Sequence, residues 1–105
     1  MEALQSITDE EFDKLVLDAK NPVVIKFTAT WCRPCKALNP VLLSLKKRHR
    51  NIHFYEVDIE ANFGLAEDFG IRSVPTTMIF NEGVAVGRVH GIFKEIVFRS
   101  VLSMF

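Results

Sequence analysis

Apolar and polar positions alternate along the chain in two rhythms, one of period two and one near 3.6, and the switches between them mark the elements. Leu4 and Ile7 suggest a brief first strand or extended lead-in. Thr8-Asp9-Glu10-Glu11 reads as a capping box, with Thr8 placed to accept from the Glu11 N–H and Glu11 placed to return the bond. Phe12, Leu15, Val16 and Ala19 follow at helical spacing until Asn21-Pro22 stops the helix. Val23 to Thr28 is an apolar run with a single charge, Lys26, the pattern of a central strand covered on both faces. Lys36, Leu38, Val41, Leu42 and Leu45 then predict a helix that runs through Pro40, where one internal hydrogen bond is lost and a bend is expected.

A strand from Ile52 to Ile59 sets Phe54, Glu56 and Asp58 against Tyr55, Val57 and Ile59. Asn62 to Phe69 predicts a short helix with Phe63, Ala66 and Phe69 on one side, closed by Gly70. Met78-Ile79-Phe80, the turn Asn81-Glu82-Gly83, and Val84 through His90 form a hairpin ended by Gly91, with Gly83 serving the turn. Ile92, Phe93, Ile96, Val97, Val101 and Met104 close the chain as an amphipathic helix. The order is β-α-β-α-β-α-β-β-α. It predicts an α/β fold, a central mixed five-stranded sheet flanked by four helices with right-handed parallel crossovers early and a hairpin at one edge.

Composition narrows the function classes. The chain has 105 residues, enough for a single domain spanning 1–105 with one core. Its 13 basic and 13 acidic residues balance, which gives no reason to expect nucleic acid as a partner. The basic run Lys46-Lys47-Arg48-His49-Arg50 has two readings, an anion patch or solvated cations complementing a helix C-terminus; its shortness and lack of interleaved aromatics favour the second. No run approaches the roughly 20 apolar residues of a membrane span. Met1-Glu2-Ala3-Leu4-Gln5 lacks the basic-then-apolar pattern of a secretory signal, so a cytoplasmic location is expected.

The chemistry concentrates in Trp31-Cys32-Arg33-Pro34-Cys35-Lys36, which holds both cysteines of the chain. They fall where a strand ends and a helix begins. Unsatisfied N–H groups and a partial positive charge at a helix start favour a thiolate there. In a reducing compartment a purely structural disulfide is disfavoured, leaving a catalytic or a metal-binding pair. Zinc is the weaker alternative, since His49, His53 and His90 are scattered and there is no second cysteine pair.

With Val74-Pro75-Thr76 downstream, and Gly83 and Gly91 flanking the second hairpin strand, the sequence resembles the thioredoxin family over essentially its whole length. The resemblance implies the thioredoxin fold and a dithiol-disulfide oxidoreductase that needs no bound cofactor. Cys32 would attack a substrate disulfide, and Cys35 would resolve the mixed disulfide by closing a bond to Cys32, one helical turn away, with only Cys32 facing solvent. It further implies that Pro75 is cis, that the Val74 backbone pairs with an extended substrate segment, and that Trp31, Pro34, Val74, Gly91 and Ile92 form a shallow apolar patch for partners. The expected partners are disulfide-containing protein substrates and a separate thioredoxin reductase, and the expected state is a monomer. A binding or holdase subunit using the same patch, with redox chemistry secondary, is the rival reading.

Three positions depart from the family pattern. Most members have a buried Asp six residues before the first cysteine, often paired with a Lys on the neighbouring strand; here those positions hold Lys26 and Glu56. The charges are exchanged, and either alone under the sheet would be costly. One expectation is that Glu56 takes over proton exchange with Cys35 while Lys26 positions it; the other is that the pair only neutralises itself and the proton goes to solvent. Arg33 replaces the usual Gly between the cysteines and adds a cation that favours thiolate, and so a weaker reductant, unless solvent screens it. Thr28 stands where an aromatic is common, which should loosen the packing behind the site.

Overall fold

The computed structural model describes residues 4–104, so the expected domain limits at residues 1 and 105 lie outside the described residues. The central strand dictates the layout. β2 (Val23–Thr28) is buried at all six positions. Its alternate side chains Val23, Ile25 and Phe27 enter one core, while Val24 enters the other. Five strands lie in the order β1-β3-β2-β4-β5. β3 (His53–Asp58) runs parallel to β2, with Lys26 opposite Glu56. β4 (Thr76–Asn81) runs antiparallel on the other side, with Lys26 opposite Thr77. β5 (Val84–His90) completes the hairpin. β1 is only Gln5–Ser6, parallel to β3. The apolar residues that signalled it, Leu4 and Ile7, flank it and anchor opposite cores.

Helices cover both faces. α1 (Asp9–Phe12) continues as a π-helical stretch over Asp13–Leu17, in which the Asp18 N–H reaches back to the Asp13 carbonyl at 2.9 Å. Thr8 and Glu11 close the capping box; the Thr8 N–H donates to Glu11 Oε1 at 3.0 Å. Phe12 and Val16 drop into a core that includes Phe27 and Phe80. Phe12 meets Phe69 and Phe80 at ring-centroid distances of 5.4 and 5.5 Å, in the tilted and edge-on arrangements that aromatic quadrupoles favour. On the opposite face, α2 (Arg33–Arg48) and α4 (Glu95–Leu102) pack Leu38, Leu42, Leu45, Phe98 and Leu102 against the sheet. Burying each such side chain stabilises the fold by about 1.5–3 kcal/mol.

Two helical faces differ from the sequence expectation. In α3 (Phe63–Asp68), Leu65 and Ala66 are buried while Phe63 is 69% exposed. In α4, Phe98 and Leu102 face inward, whereas Ile96 and Val97, and Met104 just beyond the helix, are exposed. Both helices carry apolar residues around most of their circumference, so periodicity alone does not single out the inward stripe. The basic run at the end of α2 has a structural use: Arg48 Nε meets Glu95 Oε1 at 2.9 Å, and Glu95 also accepts from the Ser44 hydroxyl at 3.0 Å, tying α2 to α4.

The hairpin tip has more than a turn to satisfy. Asn81 pairs with Val84, leaving the two-residue loop Glu82-Gly83 with φ of 52° and 78°. A Cβ on Gly83 would lie 2.6 Å from the Leu17 carbonyl oxygen, so the tip presses on the end of the first helix. Gly70 also has positive φ, 65°, but its Cβ position is open. Gly83→Ala should therefore cost about 2–4 kcal/mol, strain plus overlap, against about 1–2 kcal/mol for Gly70→Ala. Urea unfolding of the two variants checks the ranking.

Candidate active site

The cysteines sit at the junction the sequence predicts. β2 ends at Thr28, a tight turn closes with the Cys32 N–H donating to the Ala29 carbonyl at 3.2 Å, and α2 starts at Arg33. Cys32 is the N-cap residue, with extended backbone (φ −90°, ψ 106°). Its Sγ accepts from the Cys35 N–H at 3.1 Å, so one of the helix's free amide donors points at the sulfur. Pro34, in the first turn of α2, has no N–H to lose there. Cys32 and Cys35 are joined as a disulfide with a Cα–Cα distance of 5.3 Å.

Cys32, expected to face solvent, is enclosed instead, while Cys35 is buried as expected. Cys32 is only 2% exposed and Cys35 only 1%, because Ala29, Ile59 and Val74 pack against the pair. Trp31 and Ile92, by contrast, are 68% and 57% exposed, and Arg33 and Pro34 are exposed beside them in the sequence. The Val74-Pro75 peptide is cis, and the Pro75 carbonyl accepts from the Gly91 N–H at 2.8 Å. The structure thus brings Val74 to the cysteines and Gly91 to Pro75. Thr76 stiffens the same corner, its hydroxyl donating to the Ser73 carbonyl at 2.8 Å and lying 3.2 Å from His90 Nδ1.

Beneath the cysteines lies the exchanged charge pair. Lys26, 2% exposed, reaches Glu56 Oε1 at 3.5 Å. Its Nζ also donates to the Cys35 carbonyl at 3.3 Å and to Asn39 Oδ1. Burial pushes the Lys26 ammonium down from its usual 10.5, and the Glu56 carboxylate pulls it part of the way back. Glu56 Oε2 accepts from the Ser6 hydroxyl at 3.4 Å. A cleft of about 280 Å³ opens onto this pair, lined by Thr28, Lys36 and Asp58 among others. Thr28 thus borders a polar cleft in place of packed aromatic surface.

Sequence reasoning did not anticipate Asn39 or Ser6. Asn39 lies four residues after Cys35, on the same face of α2, and that spacing was the available signal. Ser6 stands opposite Glu56 in the β1–β3 register, which only the short β1 pairing reveals. Among the described residues no group of three His, Cys, Asp or Glu is placed to hold a metal ion.

A buried helix-start dithiol that closes to a disulfide, under a cis-proline corner, defines a thiol-disulfide oxidoreductase. Residues 3–103 match the family model described as Thioredoxin. Similar proteins include a thioredoxin of Aspergillus fumigatus, 38% identical over 91 residues (84% of this chain, 83% of the relative), and the thioredoxin of Mycolicibacterium smegmatis, 38% identical over 92 residues (85% and 82%). Thioredoxin 1 of Nostoc sp. PCC 7120 is 38% identical over 104 residues, 98% of this chain and 97% of the relative. The chain belongs to the thioredoxin family of disulfide reductases, and Cys32 and Cys35 are its redox-active pair.

Glu56→Gln should lower stability by about 1–2 kcal/mol at neutral pH, because it takes the counter-charge from the buried ammonium. The unfolded chain keeps the Lys26 proton up to its usual 10.5, while the folded chain gives it up at lower pH. Between those values folding gains stability as pH rises, so the deficit of the variant should shrink toward 10.5. Chemical denaturation at several pH values reads this out.

Proposed function

We propose that the chain acts as one domain that reduces disulfides of protein substrates, with Cys32 as the attacking sulfur and Cys35 as the resolving one. The observation that carries this assignment is the Cys35 N–H aimed at Cys32 Sγ at the start of α2, an arrangement that favours thiolate at Cys32. Cys32 thiolate attacks one substrate sulfur, forming a mixed disulfide and releasing the other sulfur as thiolate. Cys35 thiolate then attacks Cys32 Sγ, the Cys32–substrate bond breaks, and the second substrate sulfur leaves reduced. Two electrons pass to the substrate and the enzyme is left oxidised, so a separate thioredoxin reductase is needed to restore it.

Trp31, Pro34, Val74, Gly91 and Ile92, around the cis Pro75 corner, form the surface on which a substrate segment lies. The exposure of Trp31 and Ile92 supports that role. Lys26 and Glu56 tune the pair from beneath, and Arg33 tunes it from the solvent side. We place the protein in the cytoplasm as a monomer without bound cofactor; among the described residues no helix is long and apolar enough to cross a membrane.

Insulin reduction followed by turbidity tests the reading. The chain should catalyse it, Cys32→Ser should abolish it, and Cys35→Ser should accumulate a mixed disulfide with the substrate. Apolar binding that persists in Cys32→Ser, with no reduction by the unaltered chain, would favour the holdase alternative instead. Arg33→Gly, titrated against glutathione, should shift the potential to a more negative value, since losing the cation destabilises the reduced thiolate.

A further inference from the structure

The pair beneath the cysteines is arranged unequally, and the inequality decides its chemistry. Of the two charges, Lys26 is the one that touches the turn carrying Cys35: its Nζ donates to the Cys35 carbonyl at 3.3 Å and to Asn39, one turn further along α2. Glu56 reaches Lys26 and Ser6. An ammonium has three N–H donors, and three acceptors surround this one: the Cys35 carbonyl, Asn39 Oδ1 and Glu56 Oε1. A neutral amine would turn its lone pair toward one of those acceptors. The site is therefore built for the charged lysine, which has no lone pair with which to take a proton from Cys35.

Cys35 needs such a charge. At 1% exposure its thiolate is disfavoured by desolvation, yet resolution of the mixed disulfide requires that thiolate. We propose that Lys26 controls the ionisation of Cys35: its ammonium, pinned to the first turns of α2, stabilises the Cys35 thiolate as it forms, and the proton passes to water. This rests on the reading of Cys35 as the resolving sulfur. The step balances: Cys35 loses its proton to water, its sulfur bonds to Cys32 Sγ, the Cys32–substrate bond breaks, and the substrate sulfur departs reduced and takes up a proton. The groups facing Lys26 are Glu56 from β3, Thr77 from β4, and Asn39 and the Cys35 carbonyl from α2, with Lys36 and Asp58 lining the same cleft. Thr77 Oγ1 is buried without a hydrogen-bond partner among the described residues, a further polar atom on this face of the sheet. Lys26 is a positioning residue in this account, acting on Cys35 through its charge.

The test uses the reduced full chain mixed with an aromatic disulfide whose released thiolate absorbs visible light. Attack by Cys32 gives a first release and resolution by Cys35 a second, so absence of the second release would refute the dithiol reading itself. Lys26→Met should raise the pH midpoint of the second release by about one unit, which is about tenfold slower below the midpoint, and leave the first in place. A purely structural role would lower the melting temperature without moving that midpoint. An unmoved second midpoint, or an equal shift of both, overturns the proposal. Glu56→Gln keeps it falsifiable if Lys26→Met does not fold. Its second release should be as fast as, or faster than, that of the unaltered chain near neutral pH. A slower one would make Glu56 the proton acceptor and overturn the assignment to Lys26.

Discussion

A single ammonium buried at the middle of the sheet sets the terms for everything around it. Lys26 interrupts an otherwise apolar strand, and a buried charge is tolerated only with partners on hand. The partners come from different directions: Glu56 from the neighbouring strand, Asn39 from the helix above, and the main chain of the reactive cysteine itself. The requirement that keeps the strand stable thereby also ties the sheet to the first turns of α2. The Lys26–Glu56 pair further accounts for a polar cleft beside the apolar core on this side of the sheet.

The upper side of the site is held by a second set of contacts. Strands β4 and β5 meet at the corner where Gly91 bonds the Pro75 carbonyl and Thr76 sits between Ser73 and His90. Val74 leaves this corner to pack on the cysteines. The reactive pair thus lies between two supports from separate parts of the chain, one apolar and hydrogen-bonded, the other charged.

Much of this was legible beforehand because it depends on order and spacing. The alternation of strands and helices and the cysteines at a strand-helix junction follow from counting residues, and the pairing of Lys26 with Glu56 follows from the family resemblance. The register of β2 and β3 then sets those two positions side by side, as the resemblance implies. What was missed depends on direction or on small tertiary pairings. Ile96 and Val97 point outward because Phe98 and Leu102 fill the inner side of α4, and a helix apolar on both sides does not announce which faces the core. Ser6 acquires its role from a strand of two residues, below what periodicity resolves. The enclosure of Cys32 depends on Ala29, Ile59 and Val74 converging from separate segments.

That enclosure amounts to a filter on partner size. With Cys32 2% and Cys35 1% exposed as residues, the closed pair leaves a freely diffusing small thiol a narrow approach. A protein that spreads over the flanking apolar surface can recover, from contacts made there, the energy needed to move the covering side chains aside. A docked macromolecule is in this sense favoured in rate, while the equilibrium of the pair with small thiols such as glutathione is unchanged by the enclosure.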